Sequence, residues 1–421
     1  MDILLKQATI ISKGSEFHLK KKDILVKNGV ISKISDKIES NSAKCIESKN
    51  LHVSLGWIDL IANFQDPGFE HKEDIKSGIK AAAAGGFTKV GLSPNTFPVV
   101  DSKSQIEYIL NKSSNSIVDL YPYGSLSKGN EGKELAELAD MKSVGAIAFT
   151  DDKISVTNPN LLNRALLYTQ SFDGTILNRP QTVEISSEGV MNEGIVSTQL
   201  GLKGIPELSS DLMLSRDLFL AEYTNGKLHA LNISTSKSVD LIAEAKKKGL
   251  KVSCDICSYN LMLNENNLLE FDSRFKVIPP LRSEQTVELL IKAVKDGIID
   301  AISSNHCPED IEEKKKELDH AAFGIINIQT SFSAANTALN KKVSIEKIIN
   351  LFTNGPAKIL GLELSKIEEG EKANLTVFDP REKTLFTKED VISKSKNSPY
   401  FKKELIGKVI GVINNKKSYF N

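Results

Sequence analysis

Hydrophobic positions along the middle of this chain alternate between two periods. Short β-branched and apolar runs stand at 57–64, 88–93, 117–123, 144–150, 175–179, 227–233, 251–256 and 299–304. Between them apolar residues recur at helical spacing, most clearly at 74–84, 238–248 and 283–295. The first of these stretches stops at Gly85-Gly86, a suitable helix end. Eight strands, each followed by a crossover, predict a (β/α)8 barrel over 54–365. The ends of the chain read differently. Residues 1–53 carry short strands and an Asn28-Gly29 turn between alternating neighbours. Residues 366–421 carry strand-like runs at 373–380 and 405–420, with Asn414-Asn415 as a hairpin turn. The two ends are expected to pair into one small β-sandwich beside the barrel.

Composition narrows the class. Lys plus Arg and Asp plus Glu both number 54, so there is no electrostatic footprint for nucleic acid or an anionic membrane. No apolar run approaches the roughly 20 residues needed to span a bilayer, and the N-terminus lacks the layout of a signal peptide. Four cysteines in 421 residues do not make a disulfide scaffold. A cytoplasmic globular protein is expected.

A barrel enzyme carries its reacting groups at the C-terminal ends of the strands. A hydrolytic zinc there needs imidazoles and carboxylates converging from several strands, with one position open for water. The chain has only six histidines: His18, His52, His71, His229, His306 and His320. None forms a His-x-His pair. His306, Cys307 and Cys257 lie near strand ends and are the alternative metal or nucleophile set. Against them, Cys254-x-x-Cys257 on a strand points its thiols to opposite faces, and free cysteines are commonly buried. Adjacent Asp151 and Asp152 likewise face opposite ways on a strand. His229 and Trp57 read as packed core residues.

The segment from Gly56 to Gly68 (GWIDLIANFQDPG), then AAAAGGF at 81–87, PNT at 94–96 and PVVD at 98–101, closely resembles the opening of the barrel in dihydroorotases, a branch of the amidohydrolase superfamily. The resemblance continues through GAIAFTDD at 145–152, VMNEG at 190–194, GLKGIP at 201–206 and IST at 233–235. It extends to PPLRS at 279–283, FGI at 323–325, PAKILG at 356–361 and SKSKNSP at 393–399. It therefore covers nearly the whole chain and implies the amidohydrolase barrel with its small β domain.

The same resemblance implies where metal ligands should stand. The first-strand His-x-His falls on Ile61 and Asn63, the strand-five histidine on Asn178, and the strand-six histidine on Asn232. The strand-eight aspartate, both ligand and general base in the family, falls on Asn305. Only the carboxylate after strand four is kept, at Asp151. A carboxamide is not acidic and is a poor zinc ligand beside imidazole or thiolate. The substrate positions decay as well. The carboxylate-binding arginine falls on Gln65, the asparagine before the double proline on Ile278, and the histidine after the base on Glu309, whose charge would repel the substrate. The asparagine of Pro-Asn-Thr survives as Asn95.

Zinc, the family's metal, is therefore not expected as a cofactor here. Inactive members of the family scaffold aspartate carbamoyltransferase, the preceding enzyme of pyrimidine biosynthesis. The resemblance thus implies an inactive, oligomeric chain that scaffolds or regulates that transferase. The alternative is an active zinc-dependent dihydroorotase closing N-carbamoyl-aspartate reversibly to dihydroorotate. A third reading is a small-molecule binder using Asn95.

Overall fold

A computed structural model describes residues 2–421. Strands Trp57–Ala62 and Phe87–Leu92 are buried at every position, as expected of parallel strands covered on both faces. They pair in parallel with each other, and Phe87–Leu92 also pairs in parallel with Asp119–Pro122. On the other side of the barrel, Ile176–Asn178, Leu228–Ala230, Val252–Cys257 and Ala301–Ser303 form a second parallel set. Two bridges at Phe149, to Gly124 and to Ile176, join the two sets. A parallel bridge between Ala62 and His306 closes the ring. All eight barrel positions are thus filled, but the fourth differs from the sequence expectation. Instead of a continuous strand across 144–150 there is a turn through Gly145 at φ 116° and then a short extended segment, in which Ile147 donates to the Pro122 carbonyl, Ala148 accepts from Gly124 and Phe149 accepts from Leu177. Glycine at Gly145 permits that backbone, which strains other residues.

The crossover helices start on side-chain caps. The Asp74 carboxylate accepts the Ser77 N–H at 2.7 Å and opens Ile75–Ala84. Thr235 Oγ1 accepts the Ser238 N–H at 3.0 Å and opens Ser236–Lys247. Ser283 Oγ accepts the Thr286 N–H at 3.1 Å and opens Glu284–Asp296, which ends on Gly297 at φ 83°. Each cap satisfies a donor that the helix cannot satisfy itself. Among the described residues no helix is long and apolar enough to cross a membrane.

The two chain ends pair as expected. Leu375–Leu385 runs antiparallel to both His52–Leu55 and Glu404–Asn414, while Asp2–Ile11 runs parallel to His52–Leu55. Hydrogen bonds join these strands into an eight-stranded sheet with its own core, including Leu5, Ile24, Val53 and Val377. Asn28 at φ 49° and Gly29 at φ 77° make one hairpin turn. The second turn falls one residue beyond the Asn414-Asn415 expectation, on Asn415 and Lys416 at φ 50° and 59°. Trp57 fixes the sheet to the barrel floor. Its ring lies 5.2 Å from that of Phe378 in the sheet and 4.5 Å from that of Phe332 in the barrel.

Candidate functional site

At the C-terminal mouth of the barrel lies a cavity of about 180 Å³. Arg179, Lys153, Tyr259, Asn305, Cys307 and Phe323 are prominent in its lining, with Ile278 at one edge. The positions where a metal would be held are occupied by side chains bonded to the protein itself. Asn63 donates Nδ2–H to the His306 carbonyl at 3.3 Å. Ile61 is fully buried in the apolar barrel interior with Leu60, Tyr123 and Leu177. Asn178 turns away from the mouth. Its Nδ2 donates to Asp217 at 2.6 Å and its Oδ1 accepts the Val156 N–H at 3.2 Å. Asn232 donates both its N–H and Nδ2–H to Asp255, at 2.7 and 2.8 Å. Asn305 donates Nδ2–H to Tyr259 Oη at 2.8 Å and to the Ile278 carbonyl at 3.0 Å.

The surviving carboxylate is not the one expected from sequence. Asp151 faces away from the cavity. It accepts from the Ser125 and Ser127 hydroxyls and from the Leu126 and Ser127 N–H groups, at 2.6 to 2.9 Å. Its oxygens are therefore committed. The carboxylate bonded to a cavity-lining side chain, Arg179, is its neighbour Asp152, which stands at φ 46° in a turn. The left-handed backbone at Asp152 turns its side chain away from the direction Asp151 takes.

Asp152 is paired with an arginine. Arg179 donates Nη2–H to Asp152 at 2.6 Å and also reaches Asn305 Oδ1 at 3.3 Å. One buried guanidinium thus links the strand-four carboxylate to the strand-eight carboxamide. Burial, the largest single influence, works against its charge, but Asp152 together with smaller contributions from Tyr259, Cys257 and Cys307 outweighs it and raises its proton affinity. Sequence reading overlooked Arg179. The available signal was a fixed cation directly after a missing strand-five ligand, in ILNR at 176–179.

The substrate-side positions also differ from expectation. Glu309 does not present a free negative charge, because Lys72 Nζ stands 2.6 Å from it and Lys153 Nζ 3.9 Å. Gln65 donates to the Pro308 carbonyl at 3.3 Å. Asn95 clamps the loop carrying Asp152: it donates to the Asp151 carbonyl and accepts from the Lys153 N–H, both at 3.1 Å. Of the expected substrate positions only Ile278 lines the cavity.

The donor set does not fit a hydrolytic zinc. Among the described residues no group of three or more His, Cys, Asp or Glu side chains is placed to hold a metal. Cys257 and Cys307 are buried, and burial pushes both thiols up, away from the thiolate a metal needs. His306 is a framework residue. Its Nδ1 accepts the Asn327 N–H at 3.1 Å, and its Nε2 lies 3.5 Å from Glu73. His229 is likewise buried between Ser253 at 2.8 Å and Asp255 at 3.1 Å.

Comparison with known proteins agrees with the architecture. The profile of a family described as dihydro-orotase-like matches residues 52–238. A protein named dihydroorotase from Ruminiclostridium cellulolyticum is 40% identical over 381 residues, covering 90% of this chain and 89% of that one. Another from Caldicellulosiruptor saccharolyticus is 41% identical over 420 residues, covering 99% and 97%. Among solved structures, L-hydantoinase from Arthrobacter aurescens superposes with a TM-score of 0.85 at 20% identity, covering 99% of this chain and 95% of that one. Dihydropyrimidinase from Brevibacillus agri superposes at 0.82 and 19% identity, covering 100% and 95%. At that identity the two structures establish the fold alone.

Proposed function

The chain belongs to the dihydroorotase family, and we propose that it is a member without hydrolytic activity that scaffolds or regulates aspartate carbamoyltransferase in pyrimidine biosynthesis. The observation that carries this reading is the Arg179–Asp152 pair, 2.6 Å apart at the barrel mouth. A dihydroorotase needs a cationic metal there to polarise a carbonyl and generate hydroxide. A guanidinium supplies the charge but has no open coordination position, and its proton is too tightly held for it to act as a base. Four ligand positions bear carboxamides and one bears Ile61. The carboxamides preserve the polar frame by bonding to Asp217, Asp255, His306 and Tyr259. On this reading no zinc is retained, and the protein acts in the cytoplasm as part of an oligomeric assembly.

The competing reading is an active zinc-dependent dihydroorotase, favoured by the 40% identity to a protein of that name. Two measurements separate them. Purified chain and aspartate carbamoyltransferase, mixed and run on a sizing column, should co-elute; separate elution would refute the scaffold. Metal analysis with an assay of ring closure should show neither stoichiometric zinc nor turnover.

A further inference from the structure

The Arg179 guanidinium has a donor that the protein does not use. One end is committed: Nη2 donates to Asp152 at 2.6 Å and to Asn305 at 3.3 Å. Its Nε is buried with no hydrogen-bond partner, in a residue that lines the mouth cavity and is 5% exposed. A buried donor on a cation costs free energy until an acceptor reaches it. A second cation lines the same cavity. Lys153 Nζ is held loosely, 3.9 Å from Glu309, whose nearer partner is Lys72 at 2.6 Å. With its side chain 37% exposed, the Lys153 ammonium is free to turn toward a ligand. Arg179, Lys153 and Lys72 together face two carboxylates, Asp152 and Glu309, so positive charge is in excess. Lys314, bonded to the Gly324 carbonyl at 3.0 Å behind the cavity wall, adds to the same sign. Such an arrangement attracts an anion.

The rest of the lining narrows the kind of anion. Val277, Ile278, Phe323 and Ile325 are apolar. A bare inorganic ion would give up hydration against them for nothing in return. A carboxylate on a flat apolar body suits both halves of the cavity: its two oxygens accept from the guanidinium and the ammonium, and its ring lies on Phe323. Asn305 is already bonded to Tyr259 Oη and to the Ile278 carbonyl, so it calls for no second polar group on the ligand. The volume of about 180 Å³ is several times that of a water molecule, enough for one ring and its carboxylate but not for a peptide or a nucleotide. Ile278 and Phe323 also line a larger groove of about 620 Å³, whose walls include the exposed Glu188 and His320, and this provides the way in. The positions expected to receive a substrate carboxylate take no part. Gln65 is bonded to the Pro308 carbonyl, Asn95 to the loop at 151–153, and Glu309 is itself an acid paired with Lys72. The subsite built on Arg179 and Lys153 is therefore a different one.

We propose that the mouth cavity binds a small flat monocarboxylate, its carboxylate held between Arg179 and Lys153 and its ring against Phe323. The inference rests on the reading that no metal occupies the mouth, and it is independent of the transferase. It is tested by titration calorimetry of the full chain, freed of metal with a chelator, using benzoate and 2-furoate as probes. At least one should bind saturably, one per chain, and the matching neutral amide should bind on the order of tenfold more weakly or not at all. Inorganic phosphate should not compete. Lys153→Gln, a change at an exposed side chain, should weaken the carboxylate by on the order of tenfold with an unchanged circular dichroism spectrum. Arg179→Gln combined with Asp152→Asn, which leaves no buried charge behind, should abolish binding while the spectrum is kept. No binding of either carboxylate would overturn the proposal. So would amides that bind as well as the acids, phosphate that displaces them, or full affinity in both variants. Binding that appears only after zinc is restored would overturn this proposal together with the metal-free reading, whereas a zinc-free chain that ignores both probes would overturn this proposal alone.

Discussion

Asp59 provides a quantitative test of the barrel interior. It is fully buried, and its carboxyl accepts the Ser304 N–H at 2.8 Å and the Ser304 hydroxyl. Burial, with a smaller contribution from the Asp255 carboxylate, raises it from the ordinary 3.8 to about 7, against the opposing effect of the Ser304 hydrogen bonds. The sign follows from linkage. Below the unfolded value both states hold the proton, and the native state has its full stability. As pH rises toward about 7 the unfolded chain ionises while native Asp59 does not, so stability falls. Above the native value both are ionised and the curve flattens. About 3 pH units at ~1.4 kcal/mol each give a loss on the order of 4 kcal/mol from this residue. Asp59→Asn keeps an oxygen for the Ser304 N–H and removes the titration. Relative to wild type, the variant should gain about 3 kcal/mol between pH 5 and pH 8. Thermal unfolding of both proteins at the two pH values gives this difference directly, because all other titrating groups cancel. Parallel curves for wild type and Asp59→Asn would refute the reasoning.

Two further outcomes follow from the same structure. Arg179→Met leaves the Asp152 carboxylate buried and without its cation, which should cost about 3–5 kcal/mol. Adding Asp152→Asn should recover most of the loss in urea unfolding, whereas additive losses would show that the two do not act as a pair. Trp57→Ala empties the contact among Phe332, Phe352 and Phe378 and should cost about 3–5 kcal/mol, read as a lowered Tm.

The barrel was legible in the sequence because parallel strands buried on both faces leave continuous apolar runs, and the end of the first crossover helix was legible in Gly85-Gly86; the N-caps Asp74, Thr235 and Ser283 were not singled out. The fourth strand is shorter than its apolar run, since Gly145 is spent on a turn and pairing begins only at Ile147. The absence of His at Ile61, Asn63, Asn178 and Asn232 is plain in the sequence. What those residues do instead is not, because their partners Asp217, Asp255 and His306 are 39, 23 and 243 residues away. Choosing Asp151 over Asp152 turned on a left-handed backbone at Asp152, which the sequence does not mark. Glu309 read as an unpaired charge because Lys72, 237 residues earlier, carries no mark of proximity.

The central claim is that Arg179 and a ring of carboxamides stand where a hydrolytic metal would. The most direct measurement is elemental analysis of the purified chain after incubation with excess zinc and desalting, followed by an assay of N-carbamoyl-aspartate cyclisation and dihydroorotate hydrolysis on the same sample. Zinc far below one per chain with no turnover above the buffer rate is the expected result. One or more zinc ions per chain with turnover would contradict the account.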